Sequence, residues 1–502
     1  MRQFFAVTPT PENIAVVGAG PGGLVAARWL LSQGFEPVIF ERSPMLGGQW
    51  AGLTGRSGVW PAMHANSSRT MTAFSDLDHR SAHVYLPNRE VLDYLQRYAE
   101  KFGLTRRIRF GTRVELISRD GSGWLIRHDG ADERFDRVVV ATGRFHDPHV
   151  PTVAGLETFS GSAGAVTTYD YREGSVYLGK RMLVAGCAIS ALEVAAELAQ
   201  LGAARVVVTQ RRQRYVVPKF AAGIPSDQLL YTRYGVLAGE RLSPAELDRQ
   251  LKEIVVAAAG SPEQYGAPAP DPSVFAAGIT LSQHYLPLVA EGRIAIRPWM
   301  TSIEGKTVNF ADAAAEEFDG IVFGTGFRLR LPFLDDDIRA TLDLDEVHMD
   351  ADRHTFHPDL PGLAFVGMWD QSGGYFVPLE LQARWIAYTW SGIVPPSSQG
   401  DQRSAISAYR ANRGTPQKTR MNLAALAFAR AAGVEPRLRN WPRLRRALLF
   451  GPLAPGCFRL EGPDALPDAP ARFAREAAGF GAITSNEMTE RELRHLSLLD
   501  AD

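Results

Sequence analysis

The sequence predicts an α/β protein made of two dinucleotide-binding units on parallel sheets, the second inserted into the first, with a helical carboxy-terminal appendage. Three observations predict it. A strand, glycine turn, helix and strand follow one another from Ile14, and the same cassette opens again at Arg181. Apolar runs ending in glycine return late, at 320–323 and 363–366. At 502 residues the chain also exceeds what one hydrophobic core serves.

Residues 14–18 are a short apolar run closing on glycine, and 22–33 carry helical spacing until Gly34 stops the helix. Residues 37–40 read as a buried strand ending at Glu41, which completes one βαβ unit. The copy runs as a strand over 181–185, a turn over 186–190, a helix over 191–201 and a strand over 205–209, near Arg211. Two such Rossmann-like cassettes form an internal repeat. Between them, 84–104 reads as helical after its proline, and 107–140 alternate as a meander closing on the strand 137–140. The stretch 216–290, rich in Pro, Gly and Ala, mixes loops with short helices, and strands return at 293–296 and 307–310. After Gly392 the composition shifts to Arg, Ala and Leu with helical spacing. The resulting division is 1–158 for the first part of one unit, 159–325 for the second unit with its insert at about 216–290, 326–395 for the return of the first, and 396–502 for the appendage. The basic, apolar run 437–450 reads as a solvated helix packed on its own domain rather than a membrane contact.

Composition narrows the function classes. Hydrophobic residues at 45% and charged residues at 22% are ordinary for a globular protein, and a net charge of −1 gives no field for nucleic acid. Cys187 and Cys457 are the two cysteines, which excludes a disulfide framework, a Cys-x-x-Cys redox pair and a cysteine-rich zinc site. No metal site is expected. The first 18 residues lack a leader pattern, and no run reaches the roughly 18 apolar residues of a membrane span, so a cytoplasmic location is expected.

The first turn, GAGPGG, sets Gly18, Gly20 and Gly23 at Gly-x-Gly-x-x-Gly spacing around Pro21 and Gly22. Gly18 permits the tight turn, Gly20 lets backbone approach a pyrophosphate, and Gly23 lets helix and strand pack closely. The helix amino terminus then faces the phosphates. Glu41, 18 residues beyond Gly23, stands where an acid accepts from ribose hydroxyls. The second turn, GCAISA, keeps Gly186 but has Ala188 and Ala191 where glycines are ideal. Ser190 can cap its helix and donate to phosphate. Arg211 and Arg212, after the next strand, can fork onto a 2′-phosphate, which favours NADPH over NADH; solvated arginines are the alternative. Cys187 reads as a small core residue. The runs VVVATG, with Ala141, Thr142 and Gly143, and IVFGTGF, with Thr325 and Gly326, put small residues where backbone can lie against a flat cofactor.

From about residue 12 to 465 the chain resembles the flavin-containing monooxygenase family, the group B flavoproteins. The motifs fall in family order: GAGPGG with Glu41, the Gly47-Gly48-Gln49-Trp50 run, His64-Ala65-Asn66, Phe74-Ser75-Asp76, the Ala141 and Thr325 runs, and Glu380-x-Gln382-Ala383-Arg384-Trp385. The family fingerprint Phe-x-Gly-x-x-x-His-x-x-x-Tyr keeps Phe159, Gly161 and Tyr169 but has Ala165 for the histidine. That histidine is tied to nicotinamide handling in the family, so its loss bears on NADPH affinity and coupling. Tyr169 argues against the type I Baeyer–Villiger subgroup.

The resemblance implies that FAD lies on the first turn, with Arg42, Gly48, Gln49, Trp50, His64, Asn66, Val114, the Ala141–Gly143 run and Gln382 around it. It implies that NADPH is held by Tyr169, Gly186, Ala188, Ile189, Ser190, Arg211, Arg212, Thr325 and Gly326. NADPH would reduce FAD, and O2 would form a C4a-hydroperoxyflavin whose distal oxygen passes to an amine nitrogen or a sulfur. That adduct survives only where water is excluded. Asn66 is the candidate catalytic residue, because the resemblance sets it over the flavin at the oxygen site, where an amide can donate a hydrogen bond without transferring its proton; a loop asparagine bonded to local backbone is the alternative. His64 would contact flavin or substrate, or be structural. Gln382 and Arg384 would lie near the flavin's pyrimidine edge or the substrate path. The stretch 216–290 is expected to line the substrate pocket. Partners are a small organic substrate and O2, and a homodimer is left open. Baeyer–Villiger oxidation of a ketone is a second reading, and a flavin-binding protein with impaired NADPH turnover a third. A flavin disulfide reductase is excluded for want of a dithiol.

Overall fold

The structure, a computed structural model, describes residues 12–52, 55–413 and 419–499. Residues 1–11 of the stretch read for a leader lie outside them. The first sheet and its helices begin with β1 (Asn13–Val17), α1 (Pro21–Ser32), β2 (Glu36–Glu41), α2 (Asn88–Lys101), β3 (Ile108–Phe110) and β4 (Arg137–Val140). The second adds β5 (Gly164–Thr167), β6 (Arg181–Ala185), α3 (Ile189–Leu201), β7 (Arg205–Gln210), β8 (Ile294–Pro298) and β9 (Gly320–Phe323). The chain then returns through β10 (Leu363–Phe365) and α4 (Phe376–Trp390).

Both sheets are parallel and five-stranded. The first runs β10-β4-β1-β2-β3, the second β8-β7-β6-β9-β5, so the strand that completes the first sheet follows the whole of the second. Parallel strands covered on both faces need continuous apolar runs, which is why β1, β4, β6 and β9 are almost wholly buried. Pro21 at the first position of α1 is preset for helix and gives up no needed donor. α3 begins at Ile189, two residues before the expected start, and ends on Gly202 in the left-handed region (φ +96°).

The meander is three antiparallel strands, Val114–Asp120, Gly123–His128 and Ala131–Phe135. The insert is more ordered than loops with short helices. A parallel pair, Tyr215–Val217 with Ile279–Leu281, carries the 16-residue helix Pro244–Ala259, whose start is fixed by the Ser243 hydroxyl accepting the Glu246 amide. Its alanine-rich composition hid a helix of full length.

α4 is buried on every side from Phe376 to Tyr388, and its polar residues are held by protein groups. Glu380 accepts the Ser75 amide (2.7 Å) and the Ser75 hydroxyl. Arg384 donates to the Phe458 carbonyl (2.9 Å) and pairs with Asp464 (2.6 Å). Arg459 reaches Asp76 (2.8 Å), which also pairs with Arg28 (2.6 Å). The Phe-Ser-Asp and Glu-x-Gln-x-Arg motifs therefore fasten the appendage to the first unit. Arg384 belongs to this clamp, not to the pyrimidine edge or substrate path expected of it. In 437–450 two short turns precede the helix Arg445–Phe450, whose Ala447, Leu448 and Leu449 are buried. No helix among the described residues is long and apolar enough to cross a membrane.

Replacing Arg384 by methionine takes from Asp464 its closest cation and leaves the buried Phe458 carbonyl without this donor. Denaturant unfolding should show a loss of about 3 kcal/mol, with turnover per bound flavin unchanged.

Candidate functional site

A cavity of about 1320 Å³ opens where β1, β2, β4 and β10 end, at the carboxyl edge of the first sheet. Ligands of open α/β sheets bind at that edge. The volume is more than a drug-sized pocket of roughly 300–1,000 Å³ provides, so a dinucleotide and a second molecule fit together.

Its floor is the first glycine turn. Gly18 takes φ +107°, and a Cβ there would stand 2.6 Å from the Ala141 carbonyl oxygen. Gly20 lies back to back with Gly48 from the following loop, where a Cβ on Gly48 would come 3.0 Å from the Gly20 Cα. Pro21, Gly22 and Arg42 complete this wall. Gly23 does not line the cavity; its bare Cα lies against the Gly18 carbonyl, which is the packing role read for it. The Glu41 carboxylate is fixed by two amides, Ala19 N–H on Oε2 and Ser43 N–H on Oε1, both at 2.8 Å. Each oxygen keeps a lone pair for a sugar hydroxyl.

Above this floor stand Gln49, Trp50, Val114, Ala141, Thr142 and Gly143. Asn66 also lines the cavity, and its Oδ1 is buried without a hydrogen-bond partner, as is Thr142 Oγ1. Buried polar atoms are normally paired, so orphans facing a cavity mark a ligand's place. The cradle that a Cβ would fill and these orphaned atoms fit FAD.

Two residues expected at the flavin are elsewhere. His64 is exposed, lies outside the cavity wall and has its Nδ1 3.2 Å from the Ala62 carbonyl. Gln382 is fully buried in α4; its Oε1 accepts the Gly367 amide (3.0 Å) and its Nε2 donates to Thr355 Oγ1 (2.7 Å). It shapes the cavity only through Gly367, which is part of the wall. A buried helix turns such a side chain inward, which motif spacing does not reveal.

The second turn repeats the first. Gly186 takes φ +125°, and a Cβ there would stand 2.5 Å from the Gly324 carbonyl. Ala191 is tolerated at the third glycine position because Gly324 faces it, where a Cβ would be 2.6 Å away. Ala188 is the helix N-cap in ordinary extended backbone (φ −90°), so glycine is not needed there. Ser190 is therefore not the cap but the second helical residue, and its contribution to an anion is a free first-turn amide. Tyr169 and Ile189 reach the cavity wall, while Gly186, Ala188, Ser190, Arg211, Arg212, Thr325 and Gly326 lie outside it. Thr325 bonds the His149 carbonyl. Arg211 is exposed over the Trp299 ring (4.8 Å), whereas Arg212 is engaged by the Ala276 carbonyl (2.9 Å). Cys187 is half-buried at the turn rather than in the core. Ala165 lies exposed on β5, the edge strand, away from the cavity wall.

One guanidinium braces the two units. Arg172 donates to the carbonyls of Val59 (2.6 Å), Tyr169 (2.6 Å) and Ser57, and Trp60 Nε1 donates to Glu197 (2.6 Å). The far end of the cavity contains residues that motif reading missed: Asp227, Leu230 and Tyr231 from the insert, and Gly373, Gly374 and Tyr375 before α4. Burial pushes the Asp227 carboxyl up to about 6 and raises the Tyr231 and Tyr375 hydroxyls. The expected signal, an insert lining the pocket, gave the segment but not the residues.

A family model described as flavin-binding monooxygenase-like matches residues 11–476. N-oxide-forming dimethylaniline monooxygenase 2 of Rattus norvegicus is 28% identical over 482 residues, covering 90% of this chain and 89% of its own. Among solved structures, S-allyl-L-cysteine S-oxygenase from Allium sativum aligns with TM-score 0.63 and 20% identity over 93% of this chain and 99% of its own. Epsilon-caprolactone-bound cyclohexanone monooxygenase aligns with TM-score 0.65 and 19% identity over 84% and 98%. The two structural likenesses are likenesses of fold.

Gly18→Ala puts a methyl group against the Ala141 carbonyl at a left-handed position. The purified variant should carry about tenfold less flavin per chain, read by absorbance; full loading would dismiss the cradle.

Proposed function

The chain belongs to the flavin-binding monooxygenase-like family, and on that premise we propose that it uses NADPH and O2 to place one oxygen atom on a nitrogen or sulfur of a small organic substrate. The observation that carries this reading is the one cavity in which the first glycine turn, the orphaned amide oxygen of Asn66 and two residues of the second unit, Tyr169 and Ile189, share a wall. FAD held there and reduced by NADPH would supply the electrons that activate O2, one atom of which passes to the substrate and the other to water.

The residues of the chain bind, orient and shield. Gly18, Gly20 and Gly48 admit the pyrophosphate against backbone, and Glu41 takes the ribose hydroxyls. The first-turn amides of α3 and the Arg211 guanidinium take the phosphates of NADPH, with Arg211 better placed than Arg212 because no carbonyl engages it. Asn66, on the cavity wall, would turn its amide N–H to the oxygen being transferred, to which an amide can donate without giving up its proton. Trp50, Tyr375 and Phe376 line the same space and keep water scarce around it.

Nitrogen and sulfur are the acceptors in the names of the rat N-oxide-forming relative and the garlic S-oxygenase. The ketone reading has the fold likeness to cyclohexanone monooxygenase in its favour. Mass spectra separate them: the added oxygen sits on the heteroatom in one case and inside an ester in the other.

Asn66→Ala should leave flavin reduction by NADPH intact while hydrogen peroxide replaces product; an unchanged product yield per NADPH would remove Asn66 from this role. Arg211→Ala should raise the KM for NADPH about tenfold and leave that for NADH nearly unchanged, measured by initial-rate kinetics. Equal effects on both would show that Arg211 does not read the 2′-phosphate.

A further inference from the structure

Asp227 takes no part in the cofactor cradle, yet its carboxyl is sunk in the cavity wall. It lies on the short helix Ser226–Leu230 and is 4% exposed. Oδ2 accepts the Ser68 amide at 2.6 Å; the Ser68 hydroxyl and the Gln228 amide also lie toward the carboxyl, but Oδ1 makes no hydrogen bond of normal geometry. No cation among the described residues pairs with this buried carboxylate, and a buried charge without a counter-ion is costly, so the cavity beside it suits a charged donor from outside the chain.

The surroundings specify the donor. Asn66, Leu230, Tyr231, Tyr375 and Phe376 line the cavity with it, and Gly373 packs against the Tyr231 ring while Gly374 packs against Ser67. Tyr85 and Tyr231 face Asp227, and burial keeps both hydroxyls protonated. Lys219 is drawn to Glu193 (3.3 Å), and Arg420, beside Tyr231, is not part of the cavity wall. Aromatic faces next to a carboxylate suit an organic cation.

Resting on the N-oxygenation reading, we infer that Asp227 receives a protonated amine substrate and takes its proton, so that the nitrogen turns to the flavin as a free base. The N–H bond breaks, an O–H bond forms on Oδ1, and the nitrogen keeps the electron pair that oxygenation needs. Burial has brought the carboxyl to about 6, close enough to neutrality to accept a proton and return it. Monooxygenation consumes one proton per turnover in forming water, which restores the carboxylate.

The test reads binding without turnover. Oxidised holoenzyme, wild type beside Asp227→Asn, is titrated at pH 8 with N,N-dimethylbenzylamine and with its uncharged analogue benzyl methyl sulfide. Wild type should prefer the amine by about tenfold or more, and the preference should fade as pH falls through about 6. Asp227→Asn, which keeps an oxygen for the Ser68 amide, should bind the two alike with sulfide affinity and flavin content unchanged. No amine binding to the wild type, an equal preference in both proteins, or equal loss of both ligands in the variant overturns the inference. Amine binding that depends on Asp227 but is followed by no oxygenation with NADPH and air would instead overturn the N-oxygenation reading alone.

Discussion

The structure depends on a close approach between strand ends. At the end of β1 the chain turns through Gly18 with its bare Cα against the Ala141 carbonyl; at the end of β6 it turns through Gly186 against the Gly324 carbonyl. In both, the glycine amide bonds the next strand, Phe40 in one and Thr209 in the other, at 2.8 and 2.9 Å. A side chain at either place would part the two strands, and with them the helix whose amino terminus faces the phosphates. Everything functional is hung on these two junctions, which explains why the second tolerates alanine at 188 and 191 but keeps Gly186.

What was legible in the sequence follows from this. Strands buried on both faces must be apolar throughout and a left-handed turn must be glycine, so β1, β6, β9 and both turns could be placed within a residue or two. Glu41 stood out because an acid 18 residues past the turn falls where ribose hydroxyls need an acceptor, and Asn66 because the resemblance marked it. The misreadings share a different cause. Gln382 and Arg384 sit in a helix that is buried all round, where a polar side chain serves its neighbours and spacing does not tell which neighbour. Ser190 was displaced by a helix that begins two residues earlier, since alanine in extended backbone can end a turn as well as serine. Asp227 could not be singled out at all: its meaning comes from a contact with Ser68, 159 residues away.

The appendage is held by charge rather than by grease alone. Arg28, Arg384 and Arg459 meet Asp76 and Asp464 in space that water hardly reaches, with Glu380 bonded to Ser75 beside them. Such a network contributes little net stability against an apolar equivalent, but each member is strongly destabilising to remove. It sets where α4 lies, and α4 in turn presents Phe376 and Leu379 to the cavity.

The Arg172 guanidinium bears on how anything enters or leaves. Besides the Tyr169 carbonyl of its own unit, it donates to three carbonyls of the first, those of Gly52 (3.5 Å), Ser57 and Val59. For the units to swing apart as two halves of a hinge, the bonds to the first unit's carbonyls would have to give way together. The seam between the units thus borders the cavity at Gly52 and Ser57, while the 216–290 insert meets the segment before α4 along another part of the same wall, at Tyr231 and Gly373.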